Sequence, residues 1–346
     1  MVYLKLIGVY ALATCAGLIF RKLGVPLPWM IGPLLTTAAL FITGLTTRPV
    51  PVQSRPFGQM VVASTVGVGF TPEALRLVLD TAPVLIAMAL ITAGMALLVA
   101  VLLSRMAGLT LARALLATIP TSPVEAAVMA ERFGFEPGPI VLSQTVRIAA
   151  VVVVVPVGIF IVHGWPAARL VATHGPMDPL GIVLLACCAL IGGVLFKSLK
   201  LPNPYFLGPL AMSSALTAAG FGTAPYPPIL LSIAQIVLGT WLGSTFRKKL
   251  FLEGGRLVVA SIATTLLLLA LSTAAAICLS GAVGLHWETL VLGAAPGGVT
   301  EMALTARFLG ENVALITAFH LVRIFIFMPN IPWVIRAIHS HETRSR

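Results

Sequence analysis

Long apolar runs separated by short polar stretches occupy almost the whole chain. Twelve can be drawn, at roughly 4–20, 27–46, 57–70, 82–104, 112–131, 138–162, 178–196, 203–220, 229–246, 257–280, 288–306 and 312–338. Most approach the ~20 residues a helix needs to cross a hydrocarbon core. The third and ninth are shorter, and the fifth and eleventh are interrupted by Pro and Gly. No strand alternation is sustained enough for a barrel. The pattern predicts an all-α integral membrane protein. The first run follows Lys5 and ends at Arg21 and Lys22 with no small-residue cleavage site. It reads as a spanning helix rather than a signal peptide.

The runs repeat. A shift of 176 residues, without a gap, superposes the two halves, predicted as membrane repeats over 1–170 and 177–346. Pro26 and Pro28 meet Pro202 and Pro204, and Gly32-Pro33 meets Gly208-Pro209. Gln59 meets Gln235, Pro120 meets Pro296, Glu125 meets Glu301, and Arg147 meets Arg323. Prolines and rare charges falling into register at one offset mark an internal duplication.

Composition agrees with the pattern: 58% of the 346 residues are hydrophobic and only 10% are charged, against about 25% charged in soluble domains. The net charge of +11 lies in short loops, which suits orientation against the cytoplasmic face better than nucleic-acid binding. Loop cations also bear on topology. If all twelve runs cross, they show no bias between the two sides. If the interrupted fifth and eleventh runs enter and leave on one side, fifteen loop cations fall on the cytoplasmic side and five outside. That arrangement predicts two inverted repeats, each about five transmembrane helices plus one re-entrant or broken helix hairpin, with both termini cytoplasmic. The four cysteines all lie in apolar runs and read as small buried hydrophobes, with no disulfide or zinc spacing.

Candidate chemistry gathers at the interruptions. The fifth run reads Pro120-Thr121-Ser122-Pro123-Val124-Glu125, and its partner reads Pro296-Gly297-Gly298-Val299-Thr300-Glu301. Irregular backbone at membrane depth survives only when buried in protein or lining a wet cavity. Paired broken helices in corresponding places of two halves point to a transporter's solute site. Ser122, Pro123 and Glu125 also form a good capping box. The glutamates therefore either only cap, or also bind a cation or proton. Arg147 and Arg323 each cost about 2.5–3.5 kcal/mol at the bilayer centre if unpaired. Their expected partner is the glutamate of the same half, in a structural pair, or an anionic solute held by the planar donor fork. Gln59 and Gln235 suit interhelical hydrogen bonding or cavity lining. Gly32-Pro33 and Gly208-Pro209 follow paired helix starts and are candidate hinges, with the glycines allowing close helix approach. His320, matched to Gln144, is the only histidine deep in a run, and one histidine cannot build a metal site. No metal or cofactor is expected, and no catalytic constellation is evident.

At these residues the chain resembles the AbrB family of bacterial membrane proteins, known for an internal duplication. The duplicated Pro-x-Pro-aromatic starts and the Pro-x-x-x-x-Glu hairpins carry the resemblance, which covers nearly the whole chain. It implies an inner-membrane protein, and family members bear labels of gene regulation or ammonia oxidation. The residues argue against both activities in direct form. Oxygen chemistry needs clustered His and carboxylate ligands, and no DNA-binding module is present. The expected function is secondary transport of a small solute, anionic if the arginines anchor it, by alternating access. The alternative is a membrane regulator that affects gene expression indirectly without transport. The expected partners are the lipid bilayer, the solute and a coupling H+ or Na+. Nucleic acid is not among them, and a homo-oligomer is left open.

Overall fold

Proline marks where many of these helices begin, because its fixed φ suits the first turn and its missing amide is not needed there. The computed structural model describes residues 2–46, 50–163, 178–221 and 223–344. The first half runs α1 (Val2–Lys22), α2 (Pro28–Thr43), α3 (Arg55–Gly67), α4 (Pro72–Asp80), α5 (Ala82–Ala107), α6 (Leu111–Thr118), α7 (Pro123–Arg132) and α8 (Pro137–His163). The second runs α9 (Pro179–Ser198), α10 (Pro204–Ala218), α11 (Pro228–Gly243), α12 (Lys248–Glu253), α13 (Gly255–Val283), α14 (Trp287–Ala294), α15 (Val299–Leu309) and α16 (Val313–Arg344). Among the described residues there is no strand. Each helix of the second half falls at the 176-residue shift from its counterpart, and α6 and α14 match at both ends. The match reaches into the backbone. Leu27 and Asn203, one residue before α2 and α10, both adopt left-handed φ of 45° and 46°.

Among the described residues, five helices are long and apolar enough to cross a membrane: α5, α8, α9, α13 and α16. A turn at 52–54 with α3 forms a sixth apolar stretch with α4, but the two are bent by 89°. The apolar α2 and α11 have 16 residues each, about 24 Å at the helical rise. Large apolar side chains stand on the outside, with Leu180 79% and Ile161 77% exposed, as expected where the solvent is lipid. Cys15, Cys187 and Cys278 are exposed there too, and only Cys188 is buried. The cysteines are therefore mostly surface apolar residues, against the burial expected of them. The loop cations Arg48, Arg169 and Arg346 lie outside the described residues.

The chain divides into two compact units, each drawn from both halves of the sequence. The first comprises Met1–Thr81, Pro156–Ser244 and Ala303–Leu315. In it α1 packs on α2 as α9 packs on α10, and α2 packs on α11 as α10 packs on α3. Small residues permit these approaches. A Cβ on Gly32 would meet the backbone of Ala16 and Gly17 at 2.9 Å, and one on Gly208 would overlap the backbone of Gly192.

The second unit comprises Ala82–Val155, Thr245–Met302 and Ile316–Arg346. Here α5 packs on its own counterpart α13, and each carries a short helix, α6 on α5 and α14 on α13. Leu115, Leu116, Ala126, Met129, Ile140, Phe327, Ile331 and Ile335 form part of a continuous apolar core around α6 and α7. The far end of α16 closes on this core, where Glu342 Oε1 accepts from the Leu111 amide at 2.6 Å and so caps the start of α6.

Candidate functional site

The site lies in the second unit, at the two places where a helix stops and restarts. Helix α6 ends at Thr118 and α7 begins at Pro123; α14 ends at Ala294 and α15 begins at Val299. Neither piece of either pair is long enough to cross a bilayer alone. The last carbonyls of α6 and α14 therefore end in the apolar interior, where each needs a donor. Pro120 deepens the need. In an unbroken helix the amide of residue 120 would donate to the Leu116 carbonyl, but proline has no N–H. Pro296 denies Leu292 in the same way.

The next long helix in each half supplies the missing donors. Gln144 on α8 donates Nε2 to Leu116 O at 2.7 Å and to Ile119 O at 3.0 Å. Arg147, one turn along, donates Nη1 to Thr118 O at 3.0 Å and Ile119 O at 2.8 Å, and Nη2 to Thr121 O at 3.0 Å. In the second half, His320 on α16 bonds Leu292 O through Nε2 at 3.0 Å. Arg323 donates to Ala295 O and Gly297 O, both at 2.8 Å, and to His320 Nδ1 at 2.9 Å. A guanidinium can only donate, so Nδ1 accepts and the imidazole carries its proton on Nε2. Gln144 and His320 are fully buried, and the two arginines are 2% and 4% exposed.

The hydrogen bonds of both guanidiniums run to uncharged acceptors, chiefly the carbonyls at the helix breaks. The magnitudes allow it. Hydrogen bonds to a charged group contribute about 1.5–3 kcal/mol each, so two or three cover an insertion cost of about 2.5–3.5 kcal/mol. The cation also sits at the negative end of α6 or α14, where the helix dipole favours it. One donor nitrogen on each guanidinium is without a partner in the protein, since Arg147 Nε and Arg323 Nε are buried and bond to nothing. Gln144 Oε1 is likewise unpartnered.

The restarts differ in detail. Helix α7 opens on a complete capping box: Ser122 Oγ accepts from the Glu125 amide at 3.2 Å, and Glu125 Oε2 accepts from the Ser122 amide at 3.4 Å. In α15 the equivalent of Ser122 is Gly298, whose carbonyl takes the first helical bond from Met302 at 3.1 Å. A Cβ on Gly298 would overlap the Glu301 carboxylate, so the carboxylate lies folded over that glycine. Gly297 is close-packed but less tight, with Val151 Cγ1 at 3.0 Å from where its Cβ would stand. Thr300 and Pro296 are buried, and Thr121, Ser122, Glu125 and Glu301 are half-buried. Glu125, Glu301, Arg147, Arg323, Thr121, Ser122, Gly297, Gly298 and Thr300 thus share one unit with Pro120, Pro123 and Pro296.

The remaining candidates belong to the first unit. Gln59 donates Nε2 to Asn203 Oδ1 at 3.0 Å, tying α3 to the residue before α10. Gln235 is buried on α11. Gly32-Pro33 and Gly208-Pro209 are buried inside α2 and α10. Among the described residues no group of three His, Cys, Asp or Glu could hold a metal. Sequence reasoning singled out the arginines but missed the capping work of Gln144 and His320. The signal was present: both stand three residues before an arginine, and both face a carbonyl orphaned by a proline four residues on.

Together these features define a class: a duplicated, all-helical membrane protein whose halves each interrupt one helix and close the interruption with a buried arginine. The chain belongs to the AbrB family, described as "Transition state regulatory protein AbrB", whose profile matches residues 2–137 and 49–339. The two overlapping matches accord with the internal duplication. It is 24% identical to "Uncharacterized protein YhjN" of Bacillus subtilis (strain 168), over 97% of this chain and 94% of the relative. It is 22% identical to "Putative regulator AbrB" of Escherichia coli (strain K12), over 94% of each chain.

Proposed function

We propose that the protein is a secondary transporter of a small solute, working by alternating access with its two repeats inverted in the membrane. The observation that carries this reading is the pair of interrupted helices, matched in register and each held open by side chains from the following long helix. Backbone broken at membrane depth is costly and is kept where it meets a solute or ion. The fifteen-to-five division of loop cations supports inversion, with both termini cytoplasmic and the two broken segments entering and leaving on one side. Glu125 and Glu301, half-buried at the helix restarts, are the groups through which H+ or Na+ would couple. No bond is made or broken in this function.

The test does not need the solute. With the native cysteines replaced, Thr300→Cys is exposed to a membrane-impermeant maleimide from each face of sealed vesicles. Alternating access predicts labelling from both faces, with a conformation-locking cross-link abolishing one of the two. Labelling from neither face would sink the transport reading. Cysteines near 109 and 135 should label from the same side; labelling from opposite sides would overturn the re-entrant arrangement. The name of the Escherichia coli relative favours a second reading, a membrane regulator without transport, which predicts a permanently closed Thr300.

A further inference from the structure

The two guanidiniums each keep one donor nitrogen in reserve, and its chemistry narrows the solute. In a guanidinium, Nε–H and Nη2 share one planar edge. Arg147 uses Nη2 on Thr121 O, the residue before the N-cap of α7, and Arg323 uses Nη2 on Gly297 O, the residue before Gly298. The Nε–H of each shares an edge with that Nη2 and is buried with no partner in the protein. An edge of this shape holds a carboxylate or similar oxyanion, and here half of it is unused.

Charge argues the same way. The hydrogen bonds of both arginines run to uncharged acceptors, and both side chains are buried in the same compact unit. Two buried like charges that repel are relieved by an anion. The starts of α7 and α15, 10 and 11 residues long, turn their positive ends to the helix breaks. The Ser122 amide is already occupied by Glu125. The donors left over for a ligand are the buried arginine Nε–H groups, with the helix ends supplying field rather than bonds.

We propose that the solute is a small carboxylate or other oxyanion, bound by the Nε–H edges of Arg147 and Arg323 between the paired helix breaks. The proposal rests on the breaks being the solute site, but binding and movement can be measured apart. Purified full-length protein in nanodiscs is titrated with acetate, oxalate, succinate, nitrate and sulfate as sodium salts, against chloride at constant ionic strength. Thermal unfolding is read by tryptophan fluorescence. At least one anion should raise the midpoint saturably. Arg147→Lys with Arg323→Lys keeps the charges and can still cap the carbonyls, but loses the edge. It should bind that anion at least about tenfold more weakly. In wild-type protein labelled with 15Nε-arginine, two buried Nε–H signals should shift with the same midpoint, a readout independent of whether the lysine variant folds. Unaltered affinity in the lysine variant, or no saturable response to any of these anions, would overturn the proposal. Anion binding without alternating accessibility at Thr300 would defeat transport and leave the anion site standing. Alternating accessibility without anion binding would do the reverse.

Discussion

Replacing Gln144 by Leu tests whether a proline in one helix is answered by a donor from another. Gln144 is fully buried, and Leu fills its site less one heavy atom, a packing loss that the double-mutant cycle cancels. The variant deprives the Leu116 carbonyl of its 2.7 Å partner, and Pro120 cannot replace it. The Ile119 carbonyl is spared, because it keeps Arg147 Nη1 at 2.8 Å and the Thr121 amide at 2.8 Å. One orphaned buried carbonyl costs about 1–3 kcal/mol. The unpartnered Gln144 Oε1 disappears in the same change, which offsets part of the loss and places the net near about 1–2 kcal/mol. The rescue is specific. Pro120→Ala restores an amide four residues after Leu116, so the double variant should recover most of that loss. The assay is reversible unfolding in mixed micelles across the four-member cycle. A coupling energy near zero, with the two substitutions simply additive, would refute the account of why this glutamine is here.

Four further outcomes follow from the same geometry. His320→Gln should stay within about 0.5 kcal/mol of the parent, since Gln does this work at 144, while His320→Leu should lose about 1–2 kcal/mol by the same unfolding assay. Ser122→Ala removes the acceptor of the capping box and should cost about 1 kcal/mol, whereas Gly298→Ser should not gain it, because its Cβ meets Glu301. Gly298→Ala should leave the unfolding midpoint little changed, yet displace the Glu301 carboxylate; faster modification of Glu301 by a water-soluble carbodiimide, read by mass spectrometry, would report it, and an unchanged rate would count against the folded-over carboxylate. Gly208→Leu should abolish stable expression, since the α9–α10 approach leaves no room even for a Cβ; normal yield and midpoint would contradict that packing.

Much of the architecture could be read along the chain because a membrane simplifies the code. Apolar runs of helical length, the 176-residue register and prolines at helix starts are one-dimensional facts, and α6 with α14, broken where Pro120 and Pro296 stand, follows from them directly. Loop charge adds a statement about orientation, since the field and the lipid headgroups act on each loop separately. The charged residues near the breaks stand out for the same reason: Glu125, Glu301, Arg147 and Arg323 are rare charges in apolar surroundings, at matched positions.

Who meets whom was not legible. The sequence pairs each arginine with a glutamate by charge alone. Only the folded chain brings Arg147 and Gln144 of α8 against the end of α6, and Arg323 and His320 of α16 against the end of α14, where backbone carbonyls satisfy the donors. A backbone carbonyl is the same in every residue, so no side-chain code advertises it as a partner. The division into compact units was hidden for a related reason. Packing is decided by helix surfaces meeting across long separations, as when Gly32 admits Ala16 and Gly208 admits Gly192. Apolar periodicity fixes which segments are helices and how deep they lie, while the neighbours of each face, and with them the donors left free at Arg147 and Arg323, depend on the assembled chain.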